Sequence, residues 1–457
     1  MQVLKKGETT MRKILIANRG EIAERIIRTC QRLGVETVAI YSDADKDMPY
    51  VQQATVARHV GEAPPQKSYL NVERILEIAK EENVDGVHPG YGFLSENGEF
   101  SEALQDAGLT FIGPTVDVIK LMGDKLSSRR AMIKAGVPVV PGSEQPVETL
   151  EEACAIADEI GFPVMLKASG GGGGIGMHRC ENRQDIENTF EQTKKRAKAY
   201  FKNEDMFIEK YVGNAKHIEV QIFGDAHGNV VHMFERNCSV QRRNQKVIEE
   251  AQSPAMSEET RTKICEAAVL AAKEVNYKNA GTVEFIMDED ENFYFLEMNT
   301  RLQVEHPITE CITGLDLVEW QLLVASGEKL PLKQDEITSK GHAIEFRLYA
   351  EDPVKFFPSP GLITKWHLPP EEGVRIDSGY GPDLKVTPFY DPMIAKIVIS
   401  GDTREETIDR SSKYLKNASV EGIKTNLPFL IHALETDEFL SGNYHTGFIQ
   451  SMKPITI

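Results

Sequence analysis

The sequence lacks the features of secreted, disulfide-bonded and membrane-spanning proteins. Its six cysteines are widely scattered, with no CxxC pair and no zinc-ligand spacing, so we expect reduced thiols and a cytoplasmic location. The longest apolar stretches are only as long as strands, and the first ten residues, MQVLKKGETT, have no apolar core and no cleavage site. We therefore expect neither a membrane span nor a signal peptide.

Positive charge is also scarce. The chain has 52 lysines and arginines against 70 aspartates and glutamates, and its net charge of −18 disfavours nucleic acid and anionic membranes as partners. Local groups of basic residues are then expected to bind anionic substrates. The 457 residues, of which 41% are hydrophobic and 27% charged, are sufficient for two or three domains of a soluble protein.

Two common nucleotide-binding signatures are missing. The P-loop pattern GxxxxGK[ST] occurs nowhere, and the first predicted strand, KILIANRG at 13–20, lacks the glycine fingerprint of a dinucleotide site before its helix. A Rossmann oxidoreductase is therefore poorly supported.

A glycine-rich loop is present instead. The segment VMLKASGGGGGIGMHR, at 164–179, is predicted to form a strand ending in Lys167, which leads into five consecutive glycines. Glycine loses more backbone entropy on folding than other residues, roughly 0.5–1 kcal/mol relative to alanine, so such a run needs a purpose. Cradling a triphosphate with exposed N–H groups is one purpose, and a flexible hinge over 170–176 is the alternative. A GxGxxG match within the run is weak evidence, because polyglycine meets almost any glycine pattern.

An acidic hairpin is predicted near residue 290. The apolar runs TVEFIM and FYFLEMN are separated by the acidic turn DEDEN, which is the pattern of two antiparallel strands. If Asp288 pairs with Phe293, Glu284 lies opposite Glu297. Two like charges roughly 5 Å apart destabilise a sheet unless a cation lies between them.

A divalent cation would fit this hairpin. Asn299 and Arg301 would continue the face of Glu297 along the strand. Magnesium in ATP-using enzymes takes oxygen ligands from a few side chains, with phosphate and water supplying the rest. The alternative is an ordinary hairpin whose acids are solvated or paired with lysine or arginine.

A third segment, ERNCSVQRRNQKVIEEAQSP at 235–254, concentrates positive charge in this acidic protein. Its basic residues are Arg236, Arg242, Arg243 and Lys246. Such a cluster could bind an anion of the size of phosphate or bicarbonate. An exposed basic loop that pairs with acids such as Glu249 and Glu250 is the alternative.

Strand and helix patterns alternate near the N-terminus, at the spacing of βαβ units that form a parallel sheet. The region from about 125 to 212 is predicted to contain helices, a proline-rich crossing, the strand before the glycines and a long charged helix at about 183–200. Strands and the acidic hairpin follow to 340, and 341–450 is predicted to be mostly β. The expected fold class is α/β.

In this order the segments resemble the ATP-grasp fold, and in detail the biotin carboxylase family of the biotin-dependent acyl-CoA carboxylases. The matching stretches are RKILIANRGEIAERIIR, VHPGYGFLSEN, FIGP with MGDK, KASGGGGG, KHIEVQ, CSVQRRNQK, EMNTRLQVEHP and GHAIEFRLYAED. The resemblance implies an N-terminal domain at 11–124, an ATP-grasp domain at 125–340 with a mobile lid at about 140–212, and a C-terminal domain at 341–457. It implies carboxylation of biotin through carboxyphosphate, with ATP, Mg²⁺ or Mn²⁺, and bicarbonate.

The resemblance also implies which residues bind ATP and metal. The two lysines at 125 and 167 would contact the phosphates, and Glu209 would lie beside the adenine. The implied ATP-binding residues are Lys125, Lys167, Gly171, Gly172, Gly173, Gly174, Glu209, Lys210, Val212, His217, Gln241, Asn244, Glu284 and Glu297. The implied metal ligands are Glu284, Glu297 and Asn299.

For bicarbonate and biotin, the resemblance implies a second group of residues. Arg301 would bind bicarbonate bidentately, assisted by Gln303, the backbone of Val304, and Lys246. Glu305 would be the general base that removes the bicarbonate proton. Arg347 would stabilise the enolate of biotin, a role that needs a permanent cation.

Each of these residues also has a structural interpretation. His217 could bond to backbone at the start of a strand, Arg347 could be a surface ion-pair partner, and Glu305 could cap the helix that follows. For His88, in VHPGYG, the sequence favours neither a structural nor a functional role. The chain departs from the family pattern at Ile175, where Arg or Lys is usual, and at Asn244, where His is frequent, which puts nucleotide affinity in doubt.

Finally, the chain contains no AMKM-like lysine motif for biotin attachment. We therefore expect a separate biotin carboxyl carrier protein and carboxyltransferase subunits as partners, and the resemblance implies a homodimer. The sequence does not indicate whether acetyl-CoA, for fatty acid biosynthesis, or another acyl-CoA is carboxylated. Two rivals remain, another ATP-grasp ligase with an amine acceptor and a regulatory nucleotide-binding protein without catalysis.

Overall fold

The computed structural model describes residues 9–168, 176–201 and 204–453. The predicted phosphate contacts of Gly171, Gly172, Gly173 and Gly174, and the departure at Ile175, lie outside these ranges. In the described part of the chain, no helix is both long enough and apolar enough to cross a membrane.

The N-terminal part is a five-stranded parallel sheet with helices around it, in the strand order β3-β2-β1-β4-β5. The strands are β1 Lys13–Ile16, β2 Glu36–Ser42, β3 Val56–Gly61, β4 Gly86–His88 and β5 Thr110–Phe111. The helices are α1 Gly20–Leu33, α2 Pro49–Gln53, α3 Val72–Glu81, α4 Gly98–Asp106 and α5 Val116–Gly123. The parallel sheet was predicted, and the sequence analysis missed the edge strand β3.

The next part is a small α/β unit. Its elements are α6 Lys125–Lys134, α7 Leu150–Ile160, β6 Val164–Ala168, β7 Met177–Cys180, α8 Arg183–Phe201 and β8 Met206–Lys210. The three strands form an antiparallel sheet in the order β7-β6-β8. Leu166, Phe190 and Ile208 belong to the separate apolar core of this unit. The strand before the glycines and the long charged helix were both predicted.

An eight-stranded sheet forms the body of the molecule and supplies most of the cavity floor described below. It begins with β9 Lys216–Gly224, β10 Val230–Arg242, β11 Gln245–Ala251, β12 Asn279–Met287 and β13 Phe293–Asn299. The accompanying helices are α9 Glu258–Glu274, α10 His306–Thr313 and α11 Leu317–Ala325. The strand order is β13-β12-β9-β10-β11-β14-β19-β17, in which the last three strands come from the C-terminal part.

The C-terminal part thus continues this sheet across residue 340. Its strands are β14 His342–Tyr349, β15 Gly361–Leu362, β16 Lys365–His367, β17 Val374–Ser378, β18 Lys385–Val386, β19 Met393–Gly401 and β20 Ser419–Glu421. Its helices are α12 Arg404–Asn417, α13 Leu427–Leu434, α14 Asp437–Ser441 and α15 Phe448–Ser451. Gly379 lies against the backbone of Gly20, where a β-carbon would be 2.6 Å from the Cα of Gly20, so the N-terminal and C-terminal parts touch through two glycines.

Candidate active site

A cavity of about 970 Å³ opens between the N-terminal part, the small α/β unit and the eight-stranded sheet. Its walls carry nearly all of the site residues that the sequence analysis named. Those on the walls are Lys125, Lys167, Glu209, Lys210, Val212, His217, Gln241, Asn244, Lys246, Glu284, Glu297, Asn299, Arg301, Gln303, Val304 and Arg347. Glu305 is fully buried, in contact with Lys246 and Arg347.

The acidic hairpin places Glu284 of β12 directly opposite Glu297 of β13, as predicted. The register behind that prediction was wrong. Phe293 pairs with Met287 rather than with Asp288, and a β-bulge next to Glu284 restores the opposition of the two glutamates. A bulge adds one residue on one strand, which a sequence pattern of alternating residues does not reveal.

The two glutamates of the hairpin have different electrostatic surroundings. Burial opposes the ionisation of Glu284, but its contacts with Lys246 and His217 outweigh burial and hold its pKa well below the usual range. Burial and the neighbouring charge of Glu284 instead raise the pKa of Glu297. A divalent ion between them would offset this repulsion, so the pair fits a metal.

An amide extends the candidate metal site. Asn299 donates a hydrogen bond from Nδ2 to Oε1 of Glu284 at 2.9 Å. Gln303 donates to the same oxygen at 3.1 Å. Arg301 donates to Oδ1 of Asn299 at 2.9 Å and to Oε1 of Gln303 at 2.6 Å, and it also lies 3.1 Å from Glu96. The predicted bicarbonate group is therefore one connected network that reaches the hairpin.

Lys246 lies at the centre of the acidic residues. Its Nζ is 2.5 Å from Glu219, 2.7 Å from Glu284 and 2.8 Å from Glu305. Burial alone would lower the pKa of Lys246, but the three carboxylates raise it well above its usual value. The ammonium is thus permanently charged and neutralises part of the floor of the cavity.

Arg347 and Glu305 form a buried ion pair. Nη2 of Arg347 donates to Oε2 of Glu305 at 2.9 Å, and its Nε donates to Oε1 of Glu249 at 2.6 Å. Arg347 is only 9% exposed, so it is not a surface ion-pair partner. Glu305 precedes α10 but makes no side-chain cap of that helix, so the capping interpretation is also wrong.

The charge state of Glu305 follows from these contacts. Its burial would raise its pKa, yet Lys246, Arg347 and Arg236 outweigh burial and hold the pKa well below the usual range. Glu305 is therefore an ionised carboxylate that is bonded to two cations, Lys246 and Arg347. Removing either cation would make it a stronger base.

The opposite end of the cavity gathers the groups predicted for ATP. Lys167 of β6 is bonded to Glu209 of β8, and Arg129 of α6 lies 3.2 Å from the same carboxylate. Lys125 begins α6 and lines the same wall, and its burial lowers its pKa. The ammonium of Lys210 turns away to the backbone carbonyls of Gly161 and Phe162. Gln241 donates to the carbonyl of Cys238.

The sequence left the roles of two histidines, His217 and His88, undecided. His217 Nε2 lies 2.9 Å from Oε2 of Glu284, and the backbone N–H of His217, not its ring, bonds to Ser239. His88 is buried away from the cavity, where Nδ1 accepts from the N–H of Gly90 and Nε2 contacts Gln321. Burial lowers the pKa of His88 to about 4, so this residue is neutral and structural.

The basic segment does not form a single anion-binding cluster. Arg236 is fully buried and bonded to Glu219, whereas Arg242 is paired with Glu351. Of the four basic residues, Lys246 alone lines the cavity, and the predicted pairing with Glu249 or Glu250 does not occur. These acids bond instead to Arg347, and to His342 and Arg404.

Sequence reasoning missed Glu219, Glu249, Glu96 and Arg129. Glu219 of β9 lies opposite Glu284, which in turn lies opposite Glu297, so three carboxylates form a row across three strands. A signal was present, because His217, Glu219 and Gln221 alternate with apolar residues in KHIEVQ and must share one face of a strand. No local pattern connects Glu96 or Arg129 with the site.

Comparisons with known proteins identify the family of the chain. Three family models match in succession, "Biotin carboxylase, N-terminal domain" at 10–119, "Carbamoyl-phosphate synthase L chain, ATP binding domain" at 124–333 and "Biotin carboxylase C-terminal domain" at 345–451. The fold and the central match define an ATP-grasp ligase. The chain is 56% identical over 438 residues to biotin carboxylase 2 of Bacillus subtilis (strain 168), an alignment that covers 96% of this chain and 99% of that protein.

Solved structures give the same result. A biotin carboxylase complex with β,γ-ATP from Campylobacter jejuni has a TM-score of 0.94 at 43% identity, covering 97% of this chain and 99% of that one. The biotin carboxylase domain dimer of Hydrogenobacter thermophilus 2-oxoglutarate carboxylase, crystallised with MgADP, ADP and bicarbonate, has a TM-score of 0.92 at 45% identity, covering 96% and 97%. The chain belongs to the biotin carboxylase family and is an ATP-dependent ligase with that activity.

Proposed function

We propose that this chain carboxylates biotin carried on a separate carrier protein, through carboxyphosphate, as the first half-reaction of an acyl-CoA carboxylation. The observation that supports it best is the contact of one carboxylate, Glu305, with both Lys246 and Arg347. The proposed base, Glu305, then lies beside Lys246, a cation suited to bicarbonate, and beside Arg347, a cation suited to the biotin enolate.

ATP would occupy the end of the cavity near the small α/β unit. Lys125 and Lys167 would contact its phosphates, and Glu209 would lie beside the adenine. In this arrangement Lys167 would release Glu209 and bind a phosphate oxygen instead. The unit built from β6 to β8 would act as the lid that covers the nucleotide.

Glu284, Glu297 and Asn299 would hold Mg²⁺ or Mn²⁺ together with the phosphates. The ion would neutralise charge on the transferring phosphoryl group. Burial and the charge of Glu284 raise the pKa of Glu297, and a bound cation would offset both effects. His217 and Lys246 hold the pKa of Glu284 low, so that its carboxylate is ready to serve as a ligand.

Bicarbonate would bind to Arg301, whose guanidinium fork suits two oxygens of a planar anion. Glu305 would take its proton, so that a bicarbonate oxygen attacks the γ-phosphorus of ATP and ADP leaves. Glu305 is a weak base in this structure, because Lys246 and Arg347 lower its pKa. Engagement of Lys246 by bicarbonate and of Arg347 by biotin would raise that pKa during the reaction.

Carboxyphosphate would then break down to carbon dioxide and phosphate. The phosphate would accept the proton of the biotin ureido nitrogen, and the nitrogen would attack carbon dioxide to form carboxybiotin. Arg347 would stabilise the intermediate enolate. A lysine at position 347 would keep the positive charge. It would lose the guanidinium fork, which can contact Glu249 and the substrate at the same time.

The proposal extends to the partners and the location of the chain. The carrier and the carboxyltransferase would be other subunits, acetyl-CoA in fatty acid biosynthesis would be the final acceptor, and the chain would act as a homodimer in the cytoplasm. All six cysteines are free thiols, which supports a reducing compartment. The dimer in the Hydrogenobacter thermophilus structure supports the homodimer.

The test is steady-state ATP hydrolysis by the purified chain with Mg²⁺, measured with and without bicarbonate and with and without free biotin at high concentration. We expect hydrolysis that requires bicarbonate and rises with biotin, and formation of carboxybiotin. Hydrolysis that is indifferent to both would favour another ATP-grasp ligase. ATP binding without any turnover would favour the regulatory alternative.

A further inference from the structure

Two glutamates beneath Arg347 form a buried acid pair that the reaction scheme leaves without a role. Glu249 of β11 and Glu345 of β14 are directly opposed in the antiparallel register, and both are 0% exposed. Oε2 of Glu249 and both carboxyl oxygens of Glu345 have no hydrogen-bond partner among the described residues. The one hydrogen bond that the pair receives from described side chains comes from Nε of Arg347, which donates to Oε1 of Glu249.

Charged and titratable groups surround this acid pair from every neighbouring element. They are Tyr91 after β4, Glu219 of β9, Cys238 of β10, Lys246 of β11, Glu305 before α10, Cys311 of α10, Arg347 and Tyr349 of β14, and Lys396 of β19. Two of the three cations have other partners. Lys246 is bonded to three different carboxylates, and Lys396 donates to the carbonyl of Val304 and lies 3.1 Å from Glu21.

Two ionised carboxylates in this position would be strongly unfavourable. Opposed residues of a sheet have β-carbons about 5 Å apart, and two buried like charges at that distance cannot both stay ionised. An ionised carboxylate without hydrogen bonds is itself costly to bury. Burial raises the pKa of Glu249 to about 7, although Arg347 opposes the rise. Burial also raises the pKa of Glu345 well above its usual value, against the opposing charge of Lys396.

We propose that Glu249 and Glu345 share a single proton, and that this singly charged acid pair positions Arg347 for the biotin step. With one proton the pair carries one negative charge, which fixes Nε of Arg347 and leaves the rest of the guanidinium for Glu305 and the substrate. With both protons lost, the pair would carry two negative charges and compete with the biotin enolate for the guanidinium. The inference rests on the proposed role of Arg347, but the shared proton can be tested without any activity.

Infrared spectroscopy tests the proton directly. The wild-type chain near pH 8 should show the carbonyl-stretch band of a protonated carboxylic acid, and the Glu345→Gln variant should lack it. The matched control is Glu250→Gln, because Glu250 is next to Glu249 and equally buried but accepts bonds from His342, Arg404 and Tyr444. The control should keep the band. A wild type without the band, or a band unchanged by Glu345→Gln, would overturn the proposal.

The pH dependence of the free energy of unfolding is an independent test. Glu345→Gln and Glu250→Gln should change this free energy in opposite directions. A carboxyl whose pKa is raised in the folded state destabilises that state increasingly as pH rises above its unfolded pKa of about 4.3. Replacing Glu345 with glutamine should therefore stabilise the chain, by up to about tenfold in the unfolding equilibrium constant per pH unit until the folded pKa is reached. Glu250→Gln should destabilise it, since three donors lose an ionised acceptor. Destabilisation by Glu345→Gln at every pH would show that Glu345 is an ionised ion-pair partner.

The pH profile of biotin carboxylation tests the positioning role. In the wild type, carboxylation should rise with pH near 7, as Glu249 ionises and fixes Arg347. In the Glu249→Gln variant this rise should be lost, because the carboxyl group whose ionisation fixes Arg347 has been removed. If Glu345→Gln does not fold, Glu345→Met, which also removes the acid, replaces it in the infrared and stability measurements. A rise near pH 7 that persists in Glu249→Gln, together with a confirmed infrared band, would overturn the positioning role, and an absence of any carboxylation in the wild type would instead refute the proposed function.

Discussion

Arg347 donates a hydrogen bond from Nη2 to Oε2 of Glu305 at 2.9 Å, so the proposed enolate-stabilising cation and the proposed general base are ion-paired with each other. Each residue then influences the step assigned to the other. Arg347 lowers the pKa of Glu305 and keeps it ionised, and Glu305 holds the guanidinium at the cavity floor. Under the proposed mechanism this contact would couple the two half-steps, and the predictions for the two residues differ accordingly.

The first prediction concerns Arg347→Ala. This change should abolish carboxylation of biotin while bicarbonate-dependent ATP hydrolysis persists. Because a cation beside Glu305 is removed, the pKa of Glu305 should rise, and the acid limb of the hydrolysis profile should move to higher pH. The rate of ATP hydrolysis should be measured between about pH 5 and about pH 9, a range that covers the titration of such groups. Equal loss of both activities would assign Arg347 to the bicarbonate step or to the structure.

The second prediction concerns Glu305→Gln, which keeps the size of the side chain and removes the base. Turnover should fall by about 10²–10⁴-fold, the usual contribution of a general base. The affinity for ATP should stay nearly unchanged, because Glu305 lies at the other end of the cavity from Lys167. Isothermal calorimetry with ATP, beside steady-state kinetics, measures both. Loss of ATP binding would mean that Glu305 has a different task.

The third prediction concerns Lys167→Ala, which should weaken ATP binding itself. A hydrogen bond to a charged group contributes roughly 1.5–3 kcal/mol, so the dissociation constant for ATP should rise by roughly 10- to 100-fold. Lys134→Ala is the matched control, because Lys134 is exposed on α6 and paired only with Glu274. If both variants bind ATP equally well, Lys167 does not contact the phosphates.

The sequence predicted which strands and residues form the site better than it predicted the contacts between them. The opposition of Glu284 and Glu297 followed from two apolar runs and a turn, since strand pairing across a short loop is a local property. The register still differed by a bulge. The sheet that continues through residue 340 into β14, where Glu249 faces Glu345 and bonds to Arg347, depends on contacts between distant segments. Residue spacing carries no information about such contacts, and for that reason the place of Glu249 in the site was missed. Glu219 was missed although the alternation in KHIEVQ puts it on the same face as His217.

The fourth prediction concerns the metal. Glu297→Gln removes one of the two opposed carboxylates, and with it a ligand that the hairpin would offer to Mg²⁺. The Mg²⁺ concentration needed for half-maximal ATP hydrolysis should rise at least about tenfold. Glu289→Gln is the matched control, because Glu289 lies in the turn of the same hairpin, outside the cavity, and contacts Asn214. The control should follow the wild-type Mg²⁺ curve. An unchanged Mg²⁺ requirement in Glu297→Gln would mean that Lys125, His217 and Lys246, and not a metal ion, offset the repulsion between Glu284 and Glu297. It would also remove the hairpin from the metal site.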